Sequence, residues 1–389
     1  AAGAIAQASA DVFRTGSLAT LQRWLDALPD EVVRGDSELA TFQGWLFFFT
    51  GRVDQAGTYA DAADHSLHPD STATSRGRLL ALKAHSALCA DDLDAAVRFS
   101  REALEWLDPS EAEFRNLTSN LLGQVLEAKG DVVAAAEVYG EAARGERAAG
   151  GGVGALVVLT NLVFALNELG QRREAVTICR QAVEGGTAFP DPTLPVDQGI
   201  YLAWSLLSHE ADELELAQVQ VTQALEPIEQ AKIAEGVLWG LFILARVHLA
   251  WGKLSQARQV AREGRILADR RDFYEGKQQW FAAVEAQASL LEGDLTEAQR
   301  WAETAGLSPA DTPHHWDEFP YLVYVRILLA QDRLEDAQQL LGTLEGSASR
   351  GARLRKLITV YLLQAIALQR TGRRAEALAR VEKALNLAA

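Results

Sequence analysis

Methionine is absent from all 389 residues, position 1 included, so the sequence reads as a piece excised or processed from a longer chain. Cysteine is nearly absent as well. Cys89 and Cys179 are too few for a disulfide framework, which fits a cytoplasmic setting where each is small core filler. No apolar run approaches the roughly 20 residues of a membrane span; the densest cluster, Trp45 to Phe49, is five long. The opening AAGAIAQASADVFRTG lacks a charged end followed by an apolar stretch, so no signal peptide is expected. Cations are in deficit, 37 against 53 acidic residues, for a net charge of −16. Unaided binding to a nucleic-acid backbone is therefore not expected, since basic patches drive it by releasing counterions. Alternation at period two is missing throughout, so nothing reads as a strand. What remains is 48% hydrophobic and 23% charged, the balance of a folded protein and not a disordered one.

Against these absences stands a repeat. A Gly or Asp recurs at Gly51, Asp91, Gly130, Gly170, Asp212, Gly252, Gly293, Asp332 and Gly372, at intervals of 39 to 42 residues. Each of these turn residues is followed five positions later by Ala, from Ala56 to Ala377. A second small residue follows at twelve (Ala63, Ala103, Ala142, Ala182, Ala224, Gly264, Ala305, Ala384), with Leu344 the exception. A third stands seven before (Gly44, Ala84, Gly123, Ser205, Ala245, Ala286, Ala365), with Val163 and Val325 as mild departures. Gly and Asp tolerate the left-handed backbone of a tight turn. Apolar residues at three-and-four spacing on both sides make each turn the joint of two amphipathic helices, and the small residues let those helices approach closely. Pro69, Pro109, Pro190 and Pro309 fall just beyond second helices, where proline ends a helix harmlessly. Gly16 is a worn tenth turn. One hairpin cannot bury its own apolar face, so neighbours must stack. The expectation is an all-α right-handed superhelical solenoid of about ten helix-turn-helix units with a period near 40 residues, forming one domain over 1–389.

Gly145–Gly154, Gly185–Gly199 and Gly306–Glu318 interrupt the hairpins, as connections or as contact loops. No catalytic constellation is present, which argues against an enzyme. His209-Glu210 lacks the second His that a zinc-protease helix needs, and His314-His315 with Asp317 and Glu318 reads as a solvent-facing loop and not a metal site. No metal or cofactor is expected. Arg350, Arg353, Arg355, Lys356, Arg370, Arg373 and Arg374 gather near the end and read as a solvated face, with an attached domain as the other option.

The small-residue columns match the tetratricopeptide (TPR) pattern, although the period exceeds the usual thirty-four or so. The phrases LQRWLDALPDEVVRGDSELATFQGWLFFFTGRVDQA, NLLGQVLEAKGD, RWAETAGL and FPYLVYVRILLAQDRLEDAQQLL together resemble the sensor region of MalT-like, large ATP-binding LuxR-type transcriptional regulators. The resemblance runs from about Thr15 to Leu387. It implies a sensor lying between a nucleotide-switching ATPase and a DNA-binding helix-turn-helix module, neither of which is in this sequence. Gly252-Lys253, for instance, is followed by Leu254 and is no phosphate loop. It therefore implies partners: a small-molecule inducer or a modulating protein and the flanking modules, with no direct nucleic-acid or membrane binding by this piece.

The resemblance also implies that first helices line the concave surface, which turns residues ten and six before each turn residue inward. Phe242 with Arg246, Gln287 and Arg326 then share one wall, joined thirteen before by Trp239 and Trp280. Asn120, Gln124 and Asn161 form a second polar group. Flat rings beside amide and guanidinium groups suit a small ligand with apolar faces and many hydroxyls, of which a sugar is one. Two alternatives stay open: tryptophans as inter-repeat core, and a scaffold that holds peptides or proteins with no small molecule. Register is ambiguous near Gly293, where Glu285 falls at an apolar position.

Overall fold

The computed structural model describes residues 2–14, 18–50, 52–148, 153–184, 197–230, 234–269 and 277–388, and the statements below concern those residues. They are all-helical, with no strand among them, and no helix is long and apolar enough to cross a membrane. The turns expected at Gly16 and Gly51, and most of the Pro-rich stretch after Gly185, lie outside the described residues.

Each remaining turn residue does what the repeat demands. Asp91, Gly130, Gly170, Asp212, Gly252, Gly293, Asp332 and Gly372 all adopt positive φ, between 59° and 86°. At seven of these eight turns the amide after the turn residue donates back to a carbonyl five residues earlier, as Asp92 does to Ala87 and Asp294 to Ser289, both at 2.9 Å. That bond closes the first helix with a left-handed cap. Where the next residue is Asp, its carboxylate accepts an amide of the following helix: Asp92 from Ala95, Asp131 from Ala134, Asp294 from Glu297. One dipeptide thus ends one helix and starts the next.

Contacts divide the chain into two compact units. The first comprises residues 1–126 and 137–158. It holds α1 (Ala2–Arg14), α2 (Leu18–Asp26), the short α3 (Asp30–Arg34), and the hairpins α4 (Ser37–Phe49)/α5 (Val53–His65) and α6 (Ala73–Cys89)/α7 (Leu93–Trp106). Most of α8 (Ala112–Ala128) and α9 (Val132–Ala148) belongs to it too. The second unit comprises 127–136 and 159–389. Its hairpins are the larger part of α10 (Val153–Glu168) with α11 (Arg172–Glu184), then α12 (Asp197–Glu210)/α13 (Leu214–Gln230) and α14 (Ala234–Ala250)/α15 (Leu254–Asp269). They continue with α16 (Lys277–Leu291)/α17 (Leu295–Thr304), α18 (Glu318–Ala330)/α19 (Leu334–Arg350) and α20 (Leu354–Arg370)/α21 (Arg374–Ala388).

The small-residue columns sit where helices touch. All nine alanines five beyond the turn residues are buried, from Ala56 to Ala377. At Gly44 a Cβ would stand 2.5 Å from Leu82 Cδ2, and at Gly123 and Gly264 it would overlap the Tyr139 and Phe281 rings. These glycines make room for a neighbour's side chain. The turn residue Gly293 keeps its place, and Glu285 answers the ambiguity there: it faces Arg262 and Arg265 of α15 at 3.4 and 3.5 Å. Cys179 is core, whereas Cys89 is exposed at the end of α6 and fills nothing.

The link from α19 to α20 is only Gly351-Ala352-Arg353, with Ala352 at φ 50°. Its shortness brings the start of α20 against two early turns of the second unit. A Cβ on Gly351 would overlap the Gly130 carbonyl oxygen, and one on Gly170 would lie 3.3 Å from Leu354 Cβ.

Candidate functional site

The second unit sets the first helices of successive hairpins side by side, α12 with α14, α14 with α16, and α16 with α18. Residues thirteen, ten and six before each turn residue come together on one face. The Trp239 ring lies 5.1 Å from Trp280 and 5.8 Å from Phe164, the latter nearly parallel at 24°. Phe242 lies 5.2 Å from Trp280 and 5.1 Å from Phe319, edge-on at 83°. Phe242 and Trp280 are buried, at 6% and 7% exposure, while Trp239 is half-buried. Part of the cluster is therefore core and part is surface. Phe319 occupies the same column as Trp239 and Trp280, thirteen before Asp332, and sequence reasoning missed it although that column points to it.

Charges frame these rings. The Arg246 guanidinium carbon sits 5.7 Å from the Phe242 centroid and 5.8 Å from that of Phe319. Its Nη2 donates to Glu210 Oε1 at 2.9 Å. Lys277 Nζ stands 5.9 and 5.8 Å from Trp239 and Trp280, and donates to Glu235 at 2.9 Å. Gln287 and Arg326 stand half-buried at the matching positions of α16 and α18. Arg326 donates through Nη1 to its own helix, to the Leu322 carbonyl at 2.8 Å. Burial, and then Arg246, lower its pKa.

Beside the face lies an ionic network with no precedent in the sequence reading. Arg355 pairs with Glu168 through Nε at 2.9 Å and through Nη2, and with Glu210 through Nη1 at 3.0 Å. Arg353 and Glu318 are both fully buried and bonded twice, at 2.6 and 2.7 Å. Arg353 also reaches Ser347 Oγ and His315 Nδ1, each at 2.8 Å, and Lys356 Nζ lies 3.4 Å from Glu318. Burial works to raise the Glu168 pKa, but Arg355, Lys356 and His315 outweigh it and hold the carboxyl at about 2. Glu210 is likewise held well below the carboxylate range, burial being opposed by Arg355 first. Burial pushes His315 down to about 4.

Two expectations are corrected here. Arg353, Arg355 and Lys356 are not a solvated basic face, because they are the cations of this network; only Arg350, Arg370, Arg373 and Arg374 are exposed. Nor is His315 solvent-facing, since it is half-buried against Arg353. Among the described residues no group of three or more His, Cys, Asp or Glu could hold a metal ion.

Of the second polar group, Asn120 and Gln124 stand half-buried on α8 within the first unit, and Asn161 half-buried on α10 within the second. The corresponding column of the first unit is packed. Trp45 is fully buried against Phe13, Phe49 and Phe114, with His85 at 4.8 Å. A cavity of about 340 Å³ lies away from the aromatic face, between α15, α16 and α17. Its arginines already face carboxylates: Arg258 bonds Glu292 at 2.5 Å, and Arg262 and Arg265 face Glu285.

The sequence profile of the MalT-like TPR region matches residues 77–389. The HTH-type transcriptional regulator MalT of Serratia proteamaculans is 23% identical over 353 residues, covering 87% of this chain and 38% of that protein. This chain thus spans well under half of that relative. Among solved structures, a Rap protein in complex with competence and sporulation factor aligns with TM-score 0.63 at 12% identity, over 90% of this chain and 97% of the other. NprR bound to its cognate peptide NprX aligns with TM-score 0.58 at 12% identity, over 90% and 98%. At such identities the two structures establish the fold alone. The profile match covers well over half of the sequence and agrees with the fold, and the chain belongs to the MalT-like TPR region family.

Proposed function

We propose that this chain is the signal-sensing region of a transcriptional regulator, and that it acts by binding, not by catalysis. The ligand is a small inducer or a modulating protein, held on the aromatic and charged face of the second unit. One observation carries the reading: Trp239, Phe242, Trp280 and Phe319 converge beside Arg246 on a face that stays partly open. Flat rings next to orienting polar groups give apolar contact and direction together, which a recognition site needs and a core does not. Binding favours one arrangement of the stacked hairpins, and flanking modules read the shift in population. The relative's name supports regulation of transcription, and a cytoplasmic setting follows from that role.

A second reading is a groove for a peptide with no small-molecule ligand. It is favoured by the likeness in fold to NprR, solved with its cognate peptide NprX, and to the Rap protein solved with competence and sporulation factor. A thermal-shift screen over sugars, nucleotides, amino acids and short peptides separates the two. We expect a small molecule to raise the melting temperature, and Trp239→Ala to abolish that rise while leaving the ligand-free protein folded. Stabilisation by peptides alone transfers the function to the second reading; a stabilising ligand indifferent to Trp239→Ala removes the face from both.

A further inference from the structure

Counting charges on that same face leaves one cation over. Arg246 and Arg355 are matched by Glu210 and Glu168, and Lys277 by Glu235. Arg326 has no such match. Among the described residues its only hydrogen bond is to the Leu322 carbonyl, and no carboxylate lies within ion-pair distance of it. A guanidinium carries five donors, and a half-buried one left without an anion is still costly. Folds keep such groups where function requires them. Gln287 likewise has no hydrogen-bond partner among the described residues, and Arg246 uses only Nη2. Arg246, Gln287 and Arg326 hold the same repeat position, six before the turn residue, on the adjacent helices α14, α16 and α18. They form a row of underused donors, of which Arg246 lies beside the Phe242 and Phe319 rings. In a protein of net charge −16, two arginines near enough to repel each other, with Arg246 alone paired and its Glu210 shared with Arg355, are a local exception.

We propose that this row is a subsite for an anionic group, a carboxylate or phosphate, carried by a ligand whose apolar part lies on the neighbouring rings. The inference rests on the reading of the face as a binding face and adds the chemical class of what it binds. Arg326 supplies the charge, Gln287 a neutral donor, and Arg246 a second guanidinium already oriented by Glu210. Planar guanidinium forks suit two-oxygen anions, and such charge-assisted bonds are about twice as strong as neutral ones.

The test uses matched probes and ligand-observed nuclear magnetic resonance titration of the full chain. The pairs are 3-phenylpropionate against 3-phenylpropanamide and glucose 6-phosphate against glucose, with inorganic phosphate alone as a further arm. We expect the anionic member of at least one pair to bind about tenfold tighter or more, and the winning pair to tell carboxylate from phosphate. Arg326→Gln should erase that preference and spare binding of the neutral partner. Equal binding within both pairs, or a preference that survives both Arg326→Gln and Arg246→Gln, overturns the subsite. If the neutral probes still bind and Trp239→Ala abolishes this, the binding face survives that failure; if no probe binds, the subsite falls, and the thermal-shift screen with Trp239→Ala decides the face. A second readout needs no ligand. Relieved of an unmatched charge, Arg326→Gln should melt at or above the wild-type temperature, and a marked drop would make Arg326 a structural residue instead.

Discussion

Glu318 offers the sharpest test of how the second unit is held. Its side chain is fully buried at the first position of α18, where it accepts two bonds from a fully buried Arg353 and faces Lys356 at 3.4 Å. In Glu318→Ala the two cations lose their shared anion while remaining in place. Ser347 Oγ and His315 Nδ1 still accept from Arg353, but neither carries negative charge. Breaking a buried pair by removing one partner costs about 3–5 kcal/mol, because the other charge stays buried and uncompensated. Urea denaturation followed by circular dichroism measures this. With a slope of about 2–3 kcal/mol per molar, a loss of about 4 kcal/mol moves the midpoint down by between about 1 and 2 M. The shift should appear in the transition belonging to the second unit. Replacing both partners, Glu318→Leu with Arg353→Met, should recover most of the loss, since an apolar pair of similar volume leaves no stranded charge. A single-variant loss below about 1 kcal/mol, the size of an exposed pair, would refute this account of the network.

Two further outcomes concern the first unit. His85 is buried between Trp45 and Phe48, both at 4.8 Å, and burial lowers its pKa from 6.5 to about 4. The unfolded chain therefore takes up the proton first. The stability this neutral ring confers is complete above pH 6.5 and is lost as pH falls toward about 4, by about 3 kcal/mol in all. His85→Leu should flatten the midpoint-against-pH profile of the first unit over that window, and a wild-type profile already flat there would contradict the burial assigned to His85. Gly123→Ala should cost about 1–3 kcal/mol by driving a methyl group into the Tyr139 ring. Combined with Tyr139→Leu it should cost less than the sum of the two single changes, and strict additivity in a double-mutant cycle would break the proposed contact.

The repeat was legible because its causes are local. A left-handed turn needs Gly or Asp, and a helix crossing needs Ala or Gly, so the columns ending at Gly372 and Ala377 carry the fold in plain view. The aromatic face was legible for the same reason, as positions thirteen and ten before the turn residue; Phe319 belonged to that column and was passed over. The ionic network was not legible. Arg355 lies 187 residues from Glu168 and 145 from Glu210, and no local pattern announces such a pair. Which hairpins meet again depends on small rotations summed over several repeats. Arg353 and Lys356 look like ordinary surface cations until the short joint Gly351-Ala352-Arg353 turns them inward. His315 stayed hidden likewise, as its neighbour Arg353 is 38 residues away.

That joint changes how the molecule can come apart. In an open stack each hairpin touches only its neighbours, so the last one peels away at little expense and the rest follow in turn. Here the link before α20 and the beginning of α20 are fastened to the turn after α8 and to the end of α10, with Gly351 pressed against Gly130 and Arg355 holding Glu168. Peeling the tail would mean undoing a distant fastening at the same moment. Hairpins far apart along the chain are thereby bound to a common fate, and amide exchange near Glu168 should quicken whenever the residues around Arg355 are loosened.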